Sequence, residues 1–183
     1  HGVRRALASL GYQETINYSF VDEAWEATLL GNQNAIRLLN PIASQMNVMR
    51  SSLMPSFLNV AKFNIDRKAD RVCAFEIGRV FHRDSAIPDS DTTVAGFHQP
   101  QRIGGVAFGP VSTLSWEGKA ATVDFFDVKG QLESLLRPAE LSFKSCVHPM
   151  LHPGRCAHVK LNGMAVGVLG ELHPKWRQSW GFP

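Results

Sequence analysis

Apolar positions along the chain change their spacing several times, and each spacing predicts a different element. Over residues 3–10, Val3, Ala6, Leu7 and Leu10 recur three and four apart, which is the face of an amphipathic helix, and Gly11 supplies a stop. From 12 to 20 the spacing shortens to two, through Tyr12, Ile16, Tyr18 and Phe20, and predicts a strand. Asp22 is placed to cap a short helix over 23–30, Gly31-Asn32 is a turn, and 35–39 is a strand closed by Asn40-Pro41. Residues 44–50 are polar and irregular. Helical spacing returns with Leu53, Phe57, Val60, Ala61, Asn64 and Ile65, behind the capping residues Ser51-Ser52, with Pro55 tolerable only in a first turn.

A solvated turn at 67–70 leads into the stretch Cys73-Ala74-Phe75-Glu76-Ile77-Gly78-Arg79-Val80-Phe81-His82-Arg83-Asp84. It starts as an apolar strand and then carries two acids and two arginines. Residues 82–99 are the most loop-like part and the best candidate for disorder. The strand at 102–109 holds Gly104-Gly105, small residues that let a helix or neighbouring backbone approach closely. Asp124 caps the next helix and Asp127 suits its positive end; Val128, Leu132, Leu135 and Leu136 form the face to be buried, and Pro138 ends it. A strand at 141–147 follows. Strands at 156–161 and 164–169 meet at Asn162-Gly163, a strong hairpin signal. A last helix starts at His173-Pro174-Lys175-Trp176. Antiparallel strands with helices between them make an α+β domain. We take residues 1–183 as a single domain. The start at His1 and the end at Gly181-Phe182-Pro183, each on a helix-like pattern, read as a piece excised from a longer chain.

Composition narrows this little. The 183 residues are 44% hydrophobic and 19% charged, which is globular. No apolar run approaches the ~20 residues of a membrane span. A net charge of +3 permits nucleic-acid contact without arguing for it, because the basic residues are scattered. Three cysteines, Cys73, Cys146 and Cys156, without a C-x-x-C pair, fit a reducing, cytoplasmic compartment.

Candidate chemistry is sparse. Glu76, Asp84, Asp124, Asp127 and Glu171 are acids that no spacing pairs for acid–base work. Asp124 and Asp127 read as caps and Glu171 as a turn acid. Cys146, His148, His152, Cys156 and His158 raise the idea of zinc, but Pro149 and Pro153 forbid a helix that would bring His148 and His152 together. His152-Pro153-Gly154-Arg155 is more simply a tight turn that delivers Arg155. Phosphate-loop, nucleophile-elbow and dinucleotide motifs are absent. Trp116, Trp176 and Trp180 read as core or interface residues rather than a base-stacking platform.

Several stretches, in order and over nearly the whole chain, resemble one family, the β subunit of bacterial phenylalanine–tRNA ligase. They are Leu39-Asn40-Pro41-Ile42, Met49-Arg50-Ser51-Ser52-Leu53-Met54-Pro55, Phe75-Glu76-Ile77-Gly78-Arg79-Val80-Phe81, Val123-Asp124-Phe125-Phe126-Asp127-Val128-Lys129-Gly130, His152-Pro153-Gly154-Arg155 and Gly170-Glu171-Leu172-His173-Pro174. The resemblance implies a class II aminoacyl-tRNA synthetase-like fold, an antiparallel sheet flanked by helices. It implies a parent α2β2 enzyme that joins phenylalanine to tRNA with ATP and magnesium, the catalysis lying in α. Residues 3–20 look like the first class II signature without its usual terminal proline. Ile77-Gly78-Arg79-Val80-Phe81-His82-Arg83-Asp84 looks like a decayed second signature, where Arg79 or Arg83 stands at the ATP-binding arginine. Gly167-Val168-Leu169-Gly170-Glu171-Leu172-His173 stands at the third signature and has no arginine. Phe97-His98-Gln99 matches a catalytic-subunit motif by coincidence.

The implied function is a non-catalytic scaffold that packs against α through helix faces at 3–10 or 53–65. It carries no catalytic, cofactor or metal residue of its own, has no membrane partner, and is able to self-associate when isolated. The alternatives are a domain that keeps ATP or amino-acid binding through Glu76, Arg79 and Arg83, and direct contact with tRNA through scattered lysines and arginines.

Overall fold

A computed structural model describes residues 2–111 and 121–183. Trp116 and its reading lie outside the described residues. Five helices and eleven strands are present among them: α1 Gly2–Ser9, β1 Gln13–Glu14, β2 Phe20–Val21, α2 Glu23–Leu29, β3 Ile36–Arg37, β4 Val48–Met49, α3 Met54–Asp66, β5 Val72–Arg79, β6 His82–Arg83, β7 Phe97–His98, β8 Gln101–Phe108, α4 Phe125–Leu135, β9 Leu141–Ser145, β10 Leu151–Leu161, β11 Met164–Leu172 and α5 Pro174–Ser179. The strands form sheets of order β1-β5-β8, β11-β10-β9 and β2-β4-β3, and the pair β6-β7. The fold is α+β, as the sequence predicts.

The chain forms two compact units. One comprises His1–Gln13, Ala61–Ala74 and Val106–Pro183, the other Glu14–Val60 and Phe75–Gly105.

In the first unit β10 pairs antiparallel with both β9 and β11. The β10–β11 hairpin turns where expected. Leu161 faces Met164, and Asn162 and Gly163 both take the left-handed conformation, φ 49° and 83°, that a two-residue turn of this kind demands. Residues 152–155 differ from the tight turn expected. They lie inside β10 as an irregularity, since Leu151 faces Leu172 while Cys156 already faces Gly170. Against β11 lies α4, and α1 packs on α4. The α4 start carries a full capping box: the Asp124 carboxylate accepts from the Phe126 and Asp127 amides, and Asp127 accepts from the Asp124 amide. Its apolar face is only half-buried. His173 caps α5, its Nδ1 accepting from the Lys175 amide, and Trp176 Nε1 donates to the Pro149 carbonyl at 2.8 Å.

In the second unit the short central strand β4 falls within the stretch expected to be irregular, and Val48 is fully buried there. The strand expected over 12–20 breaks into β1 and β2. Between them Thr15 donates its amide to the Phe75 carbonyl at 2.7 Å and Asn17 turns inward, leaving Ile16 94% exposed. A polar side chain has taken the inner place because a buried carboxylate there needs a donor. Residues 82–99, expected to be loop-like, hold the β6–β7 pair, with His82 facing His98 and Arg83 facing Phe97. Gly104 admits the first turns of α3 as expected: a Cβ there would meet Phe57 at 2.9 Å. The α3 stripe is consumed inside the chain, with Leu53, Phe57, Leu58 and Ala61 all buried. Val60, Asn64 and Ile65 of the same stripe stay half-buried.

Candidate functional site: a buried charge cluster at Arg50 and Glu76

One ion pair among the described residues is buried. Arg50 follows β4, and its backbone is held on both sides: its amide donates to the Ser19 carbonyl, and its carbonyl accepts from the Phe81 amide, each at 2.9 Å. That anchoring aims the guanidinium at Glu76 on β5. Nη2 meets Oε1 at 2.6 Å and Nη1 meets Oε2 at 3.2 Å, a two-pronged pair. Asn17 Nδ2 donates to Oε2 at 2.8 Å, while Arg50 Nε donates to the Arg79 carbonyl at 3.1 Å. Arg50 is 2% exposed and Glu76 4%. Gly78 is required by this geometry, because a Cβ there would collide with Arg50 Nη2 and lie 2.6 Å from Glu76 Oε1.

A second buried acid is held by the residue after Arg50, Ser51. Glu26 on α2 is fully buried and accepts from the Ser51 amide at 2.9 Å, the Ser51 hydroxyl at 2.5 Å and Asn32 Nδ2 at 2.6 Å. Ser52 Oγ then accepts from the Met54 amide at the start of α3. Three consecutive residues therefore serve three elements: Arg50 binds β5, Ser51 binds α2 and Ser52 caps α3. Among the described residues no buried side-chain polar atom lacks a hydrogen-bond partner. Charge neutralised and donors satisfied in this way specify one arrangement of the chain. Both carboxylates of the cluster, Glu26 and Glu76, are taken up by these donors.

The other residues singled out from the sequence are dispersed. Arg79 is exposed and donates Nη1 to the Gln99 carbonyl at 2.8 Å. Arg83 is exposed over the Phe97 ring, 5.9 Å from its centroid. Asp84 closes a turn by accepting from the Ala86 amide at 3.0 Å. Glu171 pairs with Arg155 at 2.5 Å across the β10–β11 hairpin. His148 and His152 each use Nδ1 to accept an amide two residues on, from Met150 and Gly154. Burial, and then the charge of His158, hold the His148 pKa below the ordinary imidazole value. Among the described residues no three His, Cys, Asp or Glu side chains converge in an arrangement that could hold a metal ion.

A triphosphate with magnesium demands free arginines and carboxylates facing one groove. Among the described residues the Glu76 carboxylate is not free for such a role. Glu76 is consumed by Arg50, and Arg177 on α5 donates Nε to the Pro183 carbonyl. Neither Glu26 nor Arg50 stands out in the sequence as a site residue. The available signal was Glu26 at helical spacing with Leu29 and Leu30, a charge on an apolar face.

The fold is that of a class II aminoacyl-tRNA synthetase. A pyrrolysyl-tRNA synthetase structure, PylSc of Desulfitobacterium hafniense, superposes over 98% of this chain and 57% of its own at a TM-score of 0.64, with 13% identity. The family model of the phenylalanyl-tRNA synthetase beta chain CLM domain matches residues 1–183, and the chain belongs to that family. The phenylalanine–tRNA ligase beta subunit of Ralstonia nicotianae is 51% identical over 183 residues, covering 100% of this chain and 23% of that protein. Its counterpart in Cupriavidus pinatubonensis is 52% identical over 180 residues, covering 98% and 22%. That of Chromobacterium violaceum is 48% identical over 180 residues, also covering 98% and 22%. The chain thus spans less than a quarter of the length of these relatives. Among the described residues no helix is long and apolar enough to cross a membrane.

Proposed function

We propose that residues 1–183 act as one class II-like domain of a phenylalanine–tRNA ligase β subunit, as a scaffold that performs no aminoacylation itself. Its partner is the catalytic α subunit of a cytoplasmic α2β2 enzyme, which uses ATP and magnesium to join phenylalanine to tRNA. The observation that carries this reading is the consumed carboxylate: Glu76, immediately before the stretch resembling the second class II signature, is 4% exposed and held by Arg50 and Asn17. An acid so neutralised supports the sheet rather than a nucleotide. Apolar side chains left for a partner include Ile16 at 94% exposure and Leu39 at 98%.

The test is ATP–pyrophosphate exchange with phenylalanine, run on the β subunit alone and on the α2β2 enzyme. The scaffold reading expects exchange only when α is present. Exchange by β alone, abolished by Arg79→Ala or Arg83→Ala, would transfer the chemistry to this domain.

A further inference from the structure

Cys146 and Cys156 face each other across β9 and β10. Ala157 pairs with Ser145, and the ladder continues one residue further, because the Cys146 amide donates to the Cys156 carbonyl at 3.1 Å. Both side chains are buried, and the two Sγ atoms lie 2.8 Å apart as free thiols. Closing to the ~2.05 Å of a bond needs a movement of about 0.8 Å. Directly opposed residues of an antiparallel pair have Cα atoms roughly 4.5 to 5.5 Å apart, inside the range that disulfides span. Cys73 sits on β5, in a different sheet.

We propose that Cys146 and Cys156 are a modification site, a dithiol that a low-molecular-weight disulfide of the glutathione class converts to a cross-strand disulfide. Cys146 follows β9, which is an edge strand of its sheet, so the pair is reached by local opening of that edge. The Cys146 thiolate attacks one sulfur of the oxidant, forming a mixed disulfide and releasing one glutathione thiolate. Cys156 then loses its proton and attacks Cys146 Sγ, displacing the second glutathione. Two protein thiols are oxidised, one glutathione disulfide is reduced to two thiols, and the two protons pass through solvent to the glutathiones. Burial and the hydrogen bond to Cys146 push the Cys156 pKa up to about 12, so the reaction accelerates with pH and with loosening of the strand edge. The product ties the edge strand to β10 at the base of the segment that carries His148 and His152.

The experiment exposes the full-length native protein to glutathione disulfide until its thiol content stops falling. Exchange is then stopped with acid, the remaining thiols are alkylated with a maleimide in denaturant near neutral pH, and the digest is mapped by mass spectrometry. The expected result is one peptide pair joined through Cys146 and Cys156, two hydrogens lighter than the reduced pair and restored by dithiothreitol. Alkylatable thiols within this chain fall from three to one, Cys73. Recovery of Cys146 and Cys156 as alkylated thiols, or as separate glutathione adducts, overturns the proposal. The wild-type protein carries the test. In Cys146→Ser, Cys156 must be recovered unlinked; a Cys156–Cys73 bridge in that variant would also count against a preorganised pair.

Discussion

Replacing Glu76 by Gln keeps the shape of the side chain and removes its charge. It leaves the Arg50 guanidinium, 2% exposed, facing an amide whose NH2 group presents donors to donors. Breaking one partner of a buried ion pair costs about 3 to 5 kcal/mol, because the survivor is an uncompensated charge. Three hydrogen bonds to Glu76 are altered together, and charged hydrogen bonds contribute about 1.5 to 3 kcal/mol each, so the upper part of that range applies. For a chain of this length the corresponding fall in Tm is roughly 6 to 20 °C. Urea denaturation and thermal melts of wild type, Glu76→Leu, Arg50→Met and the double Arg50→Met/Glu76→Leu form a cycle, with Glu76→Gln measured beside it. The double variant should be more stable than either single one, since an apolar pair carries no desolvation penalty. A loss of less than about 1 kcal/mol in Glu76→Gln would refute the reasoning. So would additive single effects, which would mean the two charges do not hold each other.

Gly78→Ala should destabilise by about 1 to 3 kcal/mol in the same melts, and less in the Arg50→Met background where the obstructing guanidinium is gone. Asp124→Ala should cost about 1 kcal/mol and raise amide exchange at Phe126 and Asp127, while Asp124→Asn keeps most of the cap. His148 is held neutral in the folded protein by burial and by His158, so the unfolded chain binds its proton more readily. Its contribution to stability is therefore present above an ordinary histidine pKa and is lost as pH falls through that value towards the depressed one. Tm should drop as pH falls through the ordinary histidine range, and His148→Asn should make that drop shallower. Leu39→Asp should weaken assembly with the α subunit by about tenfold or more in a pull-down titration while leaving Tm of the β subunit unchanged, because Leu39 is 98% exposed.

Neighbouring residues alone decide the local elements of this chain. Helical spacing located α1, α3 and α4; Asp22 and Asp124 capped the helices they precede; Asn162-Gly163 set the β10–β11 turn. Each is a local preference, settled within one turn of chain, so periodicity and turn chemistry report it. The motif strings went further and carried the class II fold and the family. What they could not carry was partnership between distant residues. Arg50 and Glu76 are 26 positions apart and Ser51 and Glu26 are 25 apart, so no local pattern joins them. Their burial inverted the reading of 12–20, where Asn17 faces inward and Ile16 outward, because a buried carboxylate outweighs the alternation of apolar residues. The same long-range folding converted Glu76 from a candidate site acid into a structural counter-charge. It also placed Cys146 against Cys156, thiols that their spacing alone left unconnected.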